Sequence, residues 1–178
     1  MPVTGVQTCA LPICSLAKTL RNKSYEVRVD TRFADVMAAC AKAPREGQSG
    51  TWINPQMISA YTKLHTMGHS HCFETWIDDE LAGGLYGVAV GRAFFGESMF
   101  SRRTDASKIA FVHLVRQLAA WGFGMIDCQM TTPHLASLGA REISRQEFSA
   151  RLAELVKSEH RIASWQSASY PSAEQPRE

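Results

Sequence analysis

The sequence lacks a long apolar run, a closely spaced cysteine pair and any marked excess of charge of one sign. No apolar stretch reaches the about 18 residues that a membrane helix needs. With 19 basic and 17 acidic residues among 178, the net charge of +2 excludes a whole-protein field that drives binding to nucleic acid or membranes. The five cysteines form no CxxC pair, which predicts free thiols in a reducing compartment.

The composition is that of a folded protein. Hydrophobic residues make up 45% of the chain and charged residues 20%, with 12 glycines and 7 prolines. This mixture excludes a disordered, collagen-like or disulfide-scaffold chain. The length suffices for one domain with a sizeable core.

The first fourteen residues match nothing in the rest of the chain. They carry no charge, and the run VTGVQTCALPI at residues 3–13 resembles the translation of a sequencing-adapter oligonucleotide. We therefore exclude residues 1–14 from the fold prediction as a non-native segment. Residues 15–160 are predicted to form the folded domain, and residues 161–178 a polar, disordered tail.

Hydrophobic periodicity predicts a mixed α/β (α+β) fold, a mostly antiparallel sheet flanked by helices. The predicted elements are a strand at 24–30, helices at 31–42 and 54–68, a three-strand meander between 71 and 95, a helix at 105–121, a strand at 125–128, a brief helix at 133–138 and a helix from Ser144 to Leu155. Asp30 or Thr31 is the expected N-cap of the first helix. Gly83, Gly84 and Gly87 indicate a bulge or a close backbone approach. The order is also that of the acyl-CoA N-acyltransferase (GNAT) fold.

Four residues have spacings that suit a zinc site, namely His65, His69, His71 and Cys72. However, Gly68 should end the helix between the first two histidines, and no second ligand cluster follows. We therefore favour histidines that are hydrogen-bonded or at the solvent edge, and predict no metal.

Two acidic positions have the surroundings of a functional site. Alternation along the strand puts Asp127 and Gln129 on one face, where they can orient an attacking amine or simply satisfy loop backbone. Glu97 lies among aromatic residues and Met99, so its charge needs a cationic partner. That partner is either internal, Arg102 or Arg103, or a positive charge of a ligand.

Two further segments bear on the choice of substrate. No glycine lies between Phe100 and Trp121, although a loop that cradles the pyrophosphate of acyl-CoA needs small residues before the long helix. This argues against acyl-CoA as donor. Lys18, Arg21 and Lys23 form a local basic stretch that either contacts phosphate or is a solvated surface.

These residues together resemble the leucyl/phenylalanyl-tRNA–protein transferase family. The matching segments are Thr51–Ile53, His65–Gly68 with His71, Asp79–Gly87, Gly96–Arg102, Ala106–Lys108, Ile126–Gln129, His134–Ala140, and Glu142–Ile143 with Arg145. The resemblance runs from about Ser15 to Leu155 and implies a GNAT-like catalytic domain at residues 15–160.

The resemblance implies an enzyme that moves Leu, Phe or, less well, Met from aminoacyl-tRNA to the N-terminal Arg or Lys of proteins, which marks them for degradation in the bacterial N-degron pathway. Asp127 and Gln129 correspond to the proposed catalytic pair: Gln129 would contact the attacking α-amine, and Asp127 would polarise Gln129. No cofactor is required because the ester to tRNA is already activated. A cytoplasmic monomer without membrane partners is expected.

The resemblance also assigns binding residues. The aminoacyl pocket would contain Trp52, Leu85, Glu97, Met99, Phe111, Leu114, Leu118 and Ile126. Flexible apolar side chains should fit it, whereas β-branched Val and Ile should pack poorly. Lys18, Arg21 and Lys23 match the region near the tRNA stem.

The front of the chain departs from the family pattern. Members begin with a small domain whose Gly-rich and Trp-rich segments help to hold the tRNA, and the adapter-like run stands in its place. We therefore expect the chain as written to bind tRNA weakly and to be inactive or poorly active. Two alternatives stay open: an acyl-CoA-dependent N-acetyltransferase, and an inactive module that binds basic N-termini.

Overall fold

Seven strands form one mixed sheet in the part of the chain that the computed structural model describes, which is residues 3–6, 14–22, 24–44, 51–158 and 165–166. The strands are β1 (Val3–Val6), β2 (Glu26–Val29), β3 (Ser70–Ile77), β4 (Glu80–Val90), β5 (Ala93–Ser101), β6 (Met125–Asp127) and β7 (Ala140–Ile143). Their order across the sheet is β2-β3-β4-β5-β6-β1-β7. Neighbours are antiparallel except β5 and β6, which run parallel.

Six helices flank the sheet. They are α1 (Cys14–Asn22), α2 (Phe33–Lys42), α3 (Pro55–Thr66), α4 (Ala106–Ala120), α5 (Pro133–Ser137) and α6 (Arg145–Leu155). Helices α2 and α3 cover one face of β3 to β5, and α4, with α1 against it, covers the other. Adjacent residues of β4 alternate between these two cores, with Leu85 in one and Tyr86 in the other. The predicted mixed α/β class, a sheet flanked by helices, is confirmed.

Local sequence signals account for most element boundaries. Asn54 caps α3 by accepting a hydrogen bond from Met57 N at 2.9 Å, and Ser144 caps α6 through Glu147 N at 3.1 Å. The long helix and the three-strand meander lie where hydrophobic periodicity predicts them. The last strand of the meander, however, continues to Ser101 instead of ending at Phe95.

The N-terminus of α2 differs from its prediction. Neither Asp30 nor Thr31 caps the helix, which begins at Phe33 after Arg32. The carboxylate of Glu74, fully buried in β3, accepts hydrogen bonds of 2.8 Å from the backbone N–H groups of Thr31 and Arg32. Both N–H groups precede the first helical residue, and their partner is more than 40 positions away, so local sequence could not reveal this contact.

The glycines of β4 make the close approaches that the sequence predicts. A Cβ on Gly83 would lie 2.6 Å from the Cβ of Ala106, so α4 can start against the strand only because Gly83 has no side chain. The pairing of β4 with β5 shifts register at Gly87: Tyr86 is opposite Ser98, and Gly87 is opposite Gly96. Glu97 is therefore the extra residue of a β-bulge.

Two features depart from the predicted domain layout. Residues Val3–Val6, excluded from the prediction, form β1 and pair with both β6 and β7, and β7 itself was not predicted. Trp165 lies in the segment predicted as a polar tail, yet its side chain is 5% exposed and packs in the main core. The structure thus places one aromatic ring of the predicted tail in the core. The layout of the other terminal residues stays a prediction.

Candidate active site

A cavity of about 340 Å³ opens where the two parallel strands separate. Strands β5 and β6 pair only over Ala93–Phe95 and Met125–Asp127, after which β5 continues alone beside β4. The second half of β5 and the segment after β6 form opposite sides of the opening. Residues of α4 and β4 close its apolar base, namely Phe111, Leu114 and Leu85.

The cavity has a buried apolar base and an exposed mouth. Leu85, Phe111, Leu114 and Ile126 are each no more than 3% exposed. By contrast, the lining residues Trp52, Gln129, Met130 and His134 are exposed. An apolar side chain can enter to the base while the group that carries it stays at the mouth.

Glu97 carries a carboxylate in the wall of this cavity, where the bulge of β5 places it. Burial raises the pKa of Glu97 above its ordinary value, hydrogen bonding from the Gln129 and Tyr61 side chains lowers it, and the negative charge of Asp127 raises it. The two possible internal cations are engaged elsewhere. Arg102 donates to the carbonyl of Leu81 at 3.2 Å, and Arg103 pairs with Glu80 at 3.4 Å.

Gln129 enters the site through a tight turn. Strand β6 ends at Asp127, and Gln129 has a left-handed φ of 63°, so strand alternation does not relate the two side chains as the sequence predicted. Asp127 Oδ1 instead accepts a 2.8 Å hydrogen bond from the backbone N–H of Gln129, while the Gln129 carboxamide reaches Glu97. Burial raises the pKa of Asp127, whereas the Gln129 N–H and the charge of Arg145 lower it.

The thiol of Cys128 also lines the cavity. Burial, with a contribution from Asp127, raises its pKa to about 12. The group therefore stays protonated at neutral pH and is a poor nucleophile.

The family model described as leucyl/phenylalanyl-tRNA protein transferase matches residues 10–153 of this chain. The chain belongs to that family. Proteins named leucyl/phenylalanyl-tRNA–protein transferase are 67% identical in Nitrosomonas europaea, over 79% of this chain, and 68% identical in Chromobacterium violaceum, over 80% of it. The chain covers 59% and 61% of the lengths of these two relatives.

A solved structure shares the fold at low identity. It is a functionally unknown conserved protein from Staphylococcus epidermidis, with a TM-score of 0.51 and 7% identity over 80% of this chain and 57% of that one. This likeness concerns the fold alone.

Most of the pocket residues that the transferase family implies lie around one cavity. Seven line it: Trp52, Leu85, Glu97, Met99, Phe111, Leu114 and Ile126. Leu118 does not, because it lies one turn beyond Leu114 on α4 and is fully buried in the core. Of the pair that the resemblance implies to be catalytic, Gln129 lines the cavity and Asp127 does not.

Two of the three basic residues assigned to tRNA lie on α1. Lys18 and Arg21 are exposed there, and Lys23 lies outside the described residues. Thr19 of the same helix donates a 3.2 Å hydrogen bond to Asp105 at the start of α4. This hydrogen bond positions α1, which carries the exposed basic side chains, relative to the beginning of α4.

The N-terminus of α4 carries its own polar partners, as the glycine-free sequence suggests. Ser107 N donates to Ser101 Oγ at 3.2 Å, and the Asp105 carboxylate pairs with Lys108 at 2.9 Å. A carboxylate at this position opposes the binding of pyrophosphate. This arrangement disfavours the acyl-CoA alternative.

Two of the histidines with spacings that suit zinc, His65 and His71, lie in a cluster that does not line the cavity. Asp30, His65 and His71 offer ligand atoms within 4.8 Å of one another, whereas His69 is exposed and Cys72 donates to Glu74. His71 Nδ1 lies 2.7 Å from Asp30 Oδ2, and its Nε2 lies 3.1 Å from the carbonyl of Gly68. These two contacts hold the His71 ring between the Asp30 carboxylate and the Gly68 carbonyl.

Several lining residues were not assigned from the sequence. They are Tyr86, Gly96, Ser98, Cys128, Met130, Thr132, His134 and Leu135. The last three belong to the cap and first turn of α5, beside the conspicuous segment His134–Ala140. Tyr61 of α3 packs against Tyr86 in the core and also contacts Glu97.

None of the helices in the described part of the chain is both long and apolar enough to span a membrane.

Proposed function

We propose that this chain is the catalytic part of an aminoacyltransferase that moves Leu, Phe or, less well, Met from aminoacyl-tRNA to proteins with an N-terminal Arg or Lys. This places it in the bacterial N-degron pathway, in the cytoplasm, where aminoacyl-tRNA is found. Membership of the family supports the reaction. The single observation that carries the substrate class is an apolar-based cavity with Glu97 and Gln129 in its wall.

The cavity suits the donor amino acid. Its buried base offers aliphatic and aromatic contacts to an unbranched or aromatic side chain, with Met99 as an adaptable wall. A β-branched side chain is stiff next to its Cα and packs less well in such a site. Because one methylene discriminates by only about 1–3 kcal/mol, the preference is graded.

Glu97 suits a positively charged acceptor. The two nearby arginines are engaged elsewhere, and the groups bonded to Glu97, Tyr61 and Gln129, are neutral donors. A half-buried carboxylate surrounded in this way gains most from a cation supplied by a ligand. The α-ammonium or basic side chain of an N-terminal Arg or Lys supplies it.

The chemistry is direct aminolysis. The α-amine nitrogen attacks the ester carbonyl carbon, a C–N bond forms, and the bond from that carbon to the terminal ribose oxygen of tRNA breaks. An α-amine of pKa about 7.7–8.0 keeps an appreciable neutral fraction at cytosolic pH. Gln129 orients this amine, since an amide is too weak a base to remove the proton. Asp127 holds Gln129 in position by accepting a hydrogen bond from its backbone N–H.

We place residues 15–160 in a GNAT-like catalytic domain that acts as a monomer. The antiparallel strands before the crossover helix α4 and the parallel pair after it support that fold. Lys18, Arg21 and Lys23 contact the tRNA.

The test is transfer of labelled Phe from Phe-tRNA to an Arg-initiated protein. It uses this chain and the same chain joined to the part of the Chromobacterium violaceum relative that lies outside the match, because the chain covers 61% of that relative's length. The matched acceptor begins with Glu, and the matched donor is Val-tRNA. We expect transfer of Phe to the Arg-initiated protein alone. Failure of both chains to transfer Phe overturns the proposal.

Two alternatives have distinct outcomes. Acyl-CoA binding by calorimetry would support the N-acetyltransferase, which neither the family nor the start of α4 favours. A binding module would retain affinity for an Arg-initiated peptide but give no transfer with either chain, and substitution of Gln129 would then change nothing but affinity.

A further inference from the structure

Among the described residues that line the proposed active site, His134 is the one with an imidazole ring. It is the second residue of α5, whose N-terminus is fixed by a 3.1 Å hydrogen bond from Leu135 N to Thr132 Oγ1. Its side chain lines the same cavity as Glu97 and Gln129. It is also exposed, as the mouth residues are.

The ester must lie at this mouth. A cavity of about 340 Å³ with a buried apolar base accepts an amino-acid side chain, but the tRNA stays outside. The carbonyl and the ribose oxygen therefore lie among the exposed lining residues. His134 is one of them, together with Gln129.

Aminolysis is accelerated by a group that both takes and gives a proton near neutral pH. The attacking nitrogen must lose a proton, and the ribose oxygen must gain one before it leaves. Among the described residues that line the cavity, Gln129 is neither acid nor base, and Cys128 has a pKa near 12. Tyr86 is fully buried, whereas the ester lies at the exposed mouth. Glu97 is already engaged with the cation of the acceptor in our proposal.

The surroundings of His134 keep its ring neutral. Burial and the positive charge of Lys108 lower its pKa below 6.5, and the negative charge of Asp105 opposes them in part. Asp105 and Lys108 form an ion pair at 2.9 Å, so their effects largely offset one another. Besides His134, the titratable groups that line the cavity are Glu97, Tyr86 and Cys128. A neutral ring has a free acceptor nitrogen at cytosolic pH.

We propose that His134 is the proton carrier of the transfer reaction. Its ring nitrogen takes the proton from the α-amine as the C–N bond forms. It then returns that proton to the ribose oxygen as the C–O bond breaks, so the ring ends neutral. The inference rests on the proposed aminoacyltransferase function and adds a catalytic residue to it.

The experiment compares His134→Gln and His134→Ala with His69→Gln, a matched change at an exposed histidine outside the cavity. Single-turnover Phe transfer is measured against Phe-tRNA concentration and pH, with and without added imidazole, in both chains of the preceding test. Thermal unfolding checks that each variant is folded.

We expect the rate at saturating Phe-tRNA to fall by about 10²- to 10⁴-fold in His134→Gln. The half-saturating concentration should be unchanged, and His69→Gln should match the parent. Imidazole should restore part of the rate of His134→Ala. Below the pKa of the ring, the slope of log rate against pH should be twice as steep in the parent as in His134→Gln, because two groups must then lose protons.

Two results would overturn the inference while leaving the proposed function intact. One is a saturating rate in His134→Gln close to that of the parent. The other is a loss confined to the half-saturating concentration, without imidazole rescue, which would make His134 a tRNA contact only. If neither parent chain transfers Phe, the proposed function fails, and this inference fails with it.

Discussion

The Asp127 carboxylate binds the backbone N–H of Gln129 at 2.8 Å, while the Gln129 carboxamide is directed to Glu97. Asp127 therefore stabilises the left-handed turn that delivers Gln129 to the cavity, with φ of 63° at that residue. A non-glycine residue adopts this conformation only with local support. Asp127 acts on Gln129 through backbone geometry, which differs from polarisation of its amide.

This relationship predicts unequal effects of two substitutions at Asp127. Asn keeps an oxygen that accepts the same hydrogen bond, whereas Ala removes it at a cost of about 1 kcal/mol, or roughly fivefold to tenfold in rate. Asp127→Ala should therefore slow single-turnover Phe transfer by about that factor more than Asp127→Asn. Equal losses in the two variants would instead indicate that the negative charge itself is needed.

The buried negative charge of Glu97 should lower the free energy of unfolding, although the same charge is proposed to bind the acceptor. Because burial raises its pKa above 4.5, the folded state holds more proton than the unfolded state between pH 4.5 and the raised value. The free energy of unfolding thus falls as pH rises through that window, and the loss is complete above it. Glu97→Gln removes the charge but keeps an oxygen to accept hydrogen bonds from Tyr61 and Gln129.

We therefore expect Glu97→Gln to unfold at higher urea concentration than the parent at pH 7, with a smaller difference at pH 4. The same variant should bind Arg-initiated acceptors less tightly. Glu80→Gln is the control, because Glu80 is exposed and pairs only with exposed Arg103. A variant that is less stable than the parent at pH 7 would contradict the burial cost assigned to Glu97.

The sequence predicted some elements of the fold and the site but not others, for physical reasons. Local signals such as the Asn54–Pro55 cap and the periodicity of the long helix act within a few residues. The sequence alone therefore predicts these two helices. The bulge at Glu97 depends on pairing with β4, and the residues before α2 bind Glu74 in a distant strand. The pocket residues came from family resemblance, which cannot separate Leu118 in the core from Leu114 at the cavity.

Leu114 and Leu118 should respond differently to the same substitution. Both are buried in α4, but Leu114 lines the cavity and Leu118 packs only in the core. Leu118→Ala should cost about 2–5 kcal/mol in unfolding free energy and leave the ratio of Phe to Leu transfer unchanged. Leu114→Ala should enlarge the cavity and raise that ratio by up to about tenfold.

Competition between Phe-tRNA and Leu-tRNA measures the ratio, and urea unfolding measures stability. A shift in donor preference in Leu118→Ala, as large as in Leu114→Ala, would show that the cavity is not the donor pocket.

Trp165 should be the most consequential residue outside the region matched to the family model. Its ring stacks on His71 at 3.7 Å between centroids, contacts Trp121 edge-on at 5.0 Å, and lies close to Phe73 and Phe94. Gln166 adds a 2.8 Å hydrogen bond to the carbonyl of Asp30. Trp165→Ala should therefore lower the free energy of unfolding by about 3–5 kcal/mol, as expected for a large aromatic group removed from a core.

Trp52→Ala provides the matched comparison, because the Trp52 side chain is 44% exposed at the cavity mouth. It should cost much less stability but weaken donor binding. Chemical unfolding of both variants, followed by far-UV circular dichroism, separates the two effects. Removal of the exposed Trp52 ring should cost little stability. A loss for Trp165→Ala that is equally small would show that the contacts of Trp165 with the core do not stabilise the fold.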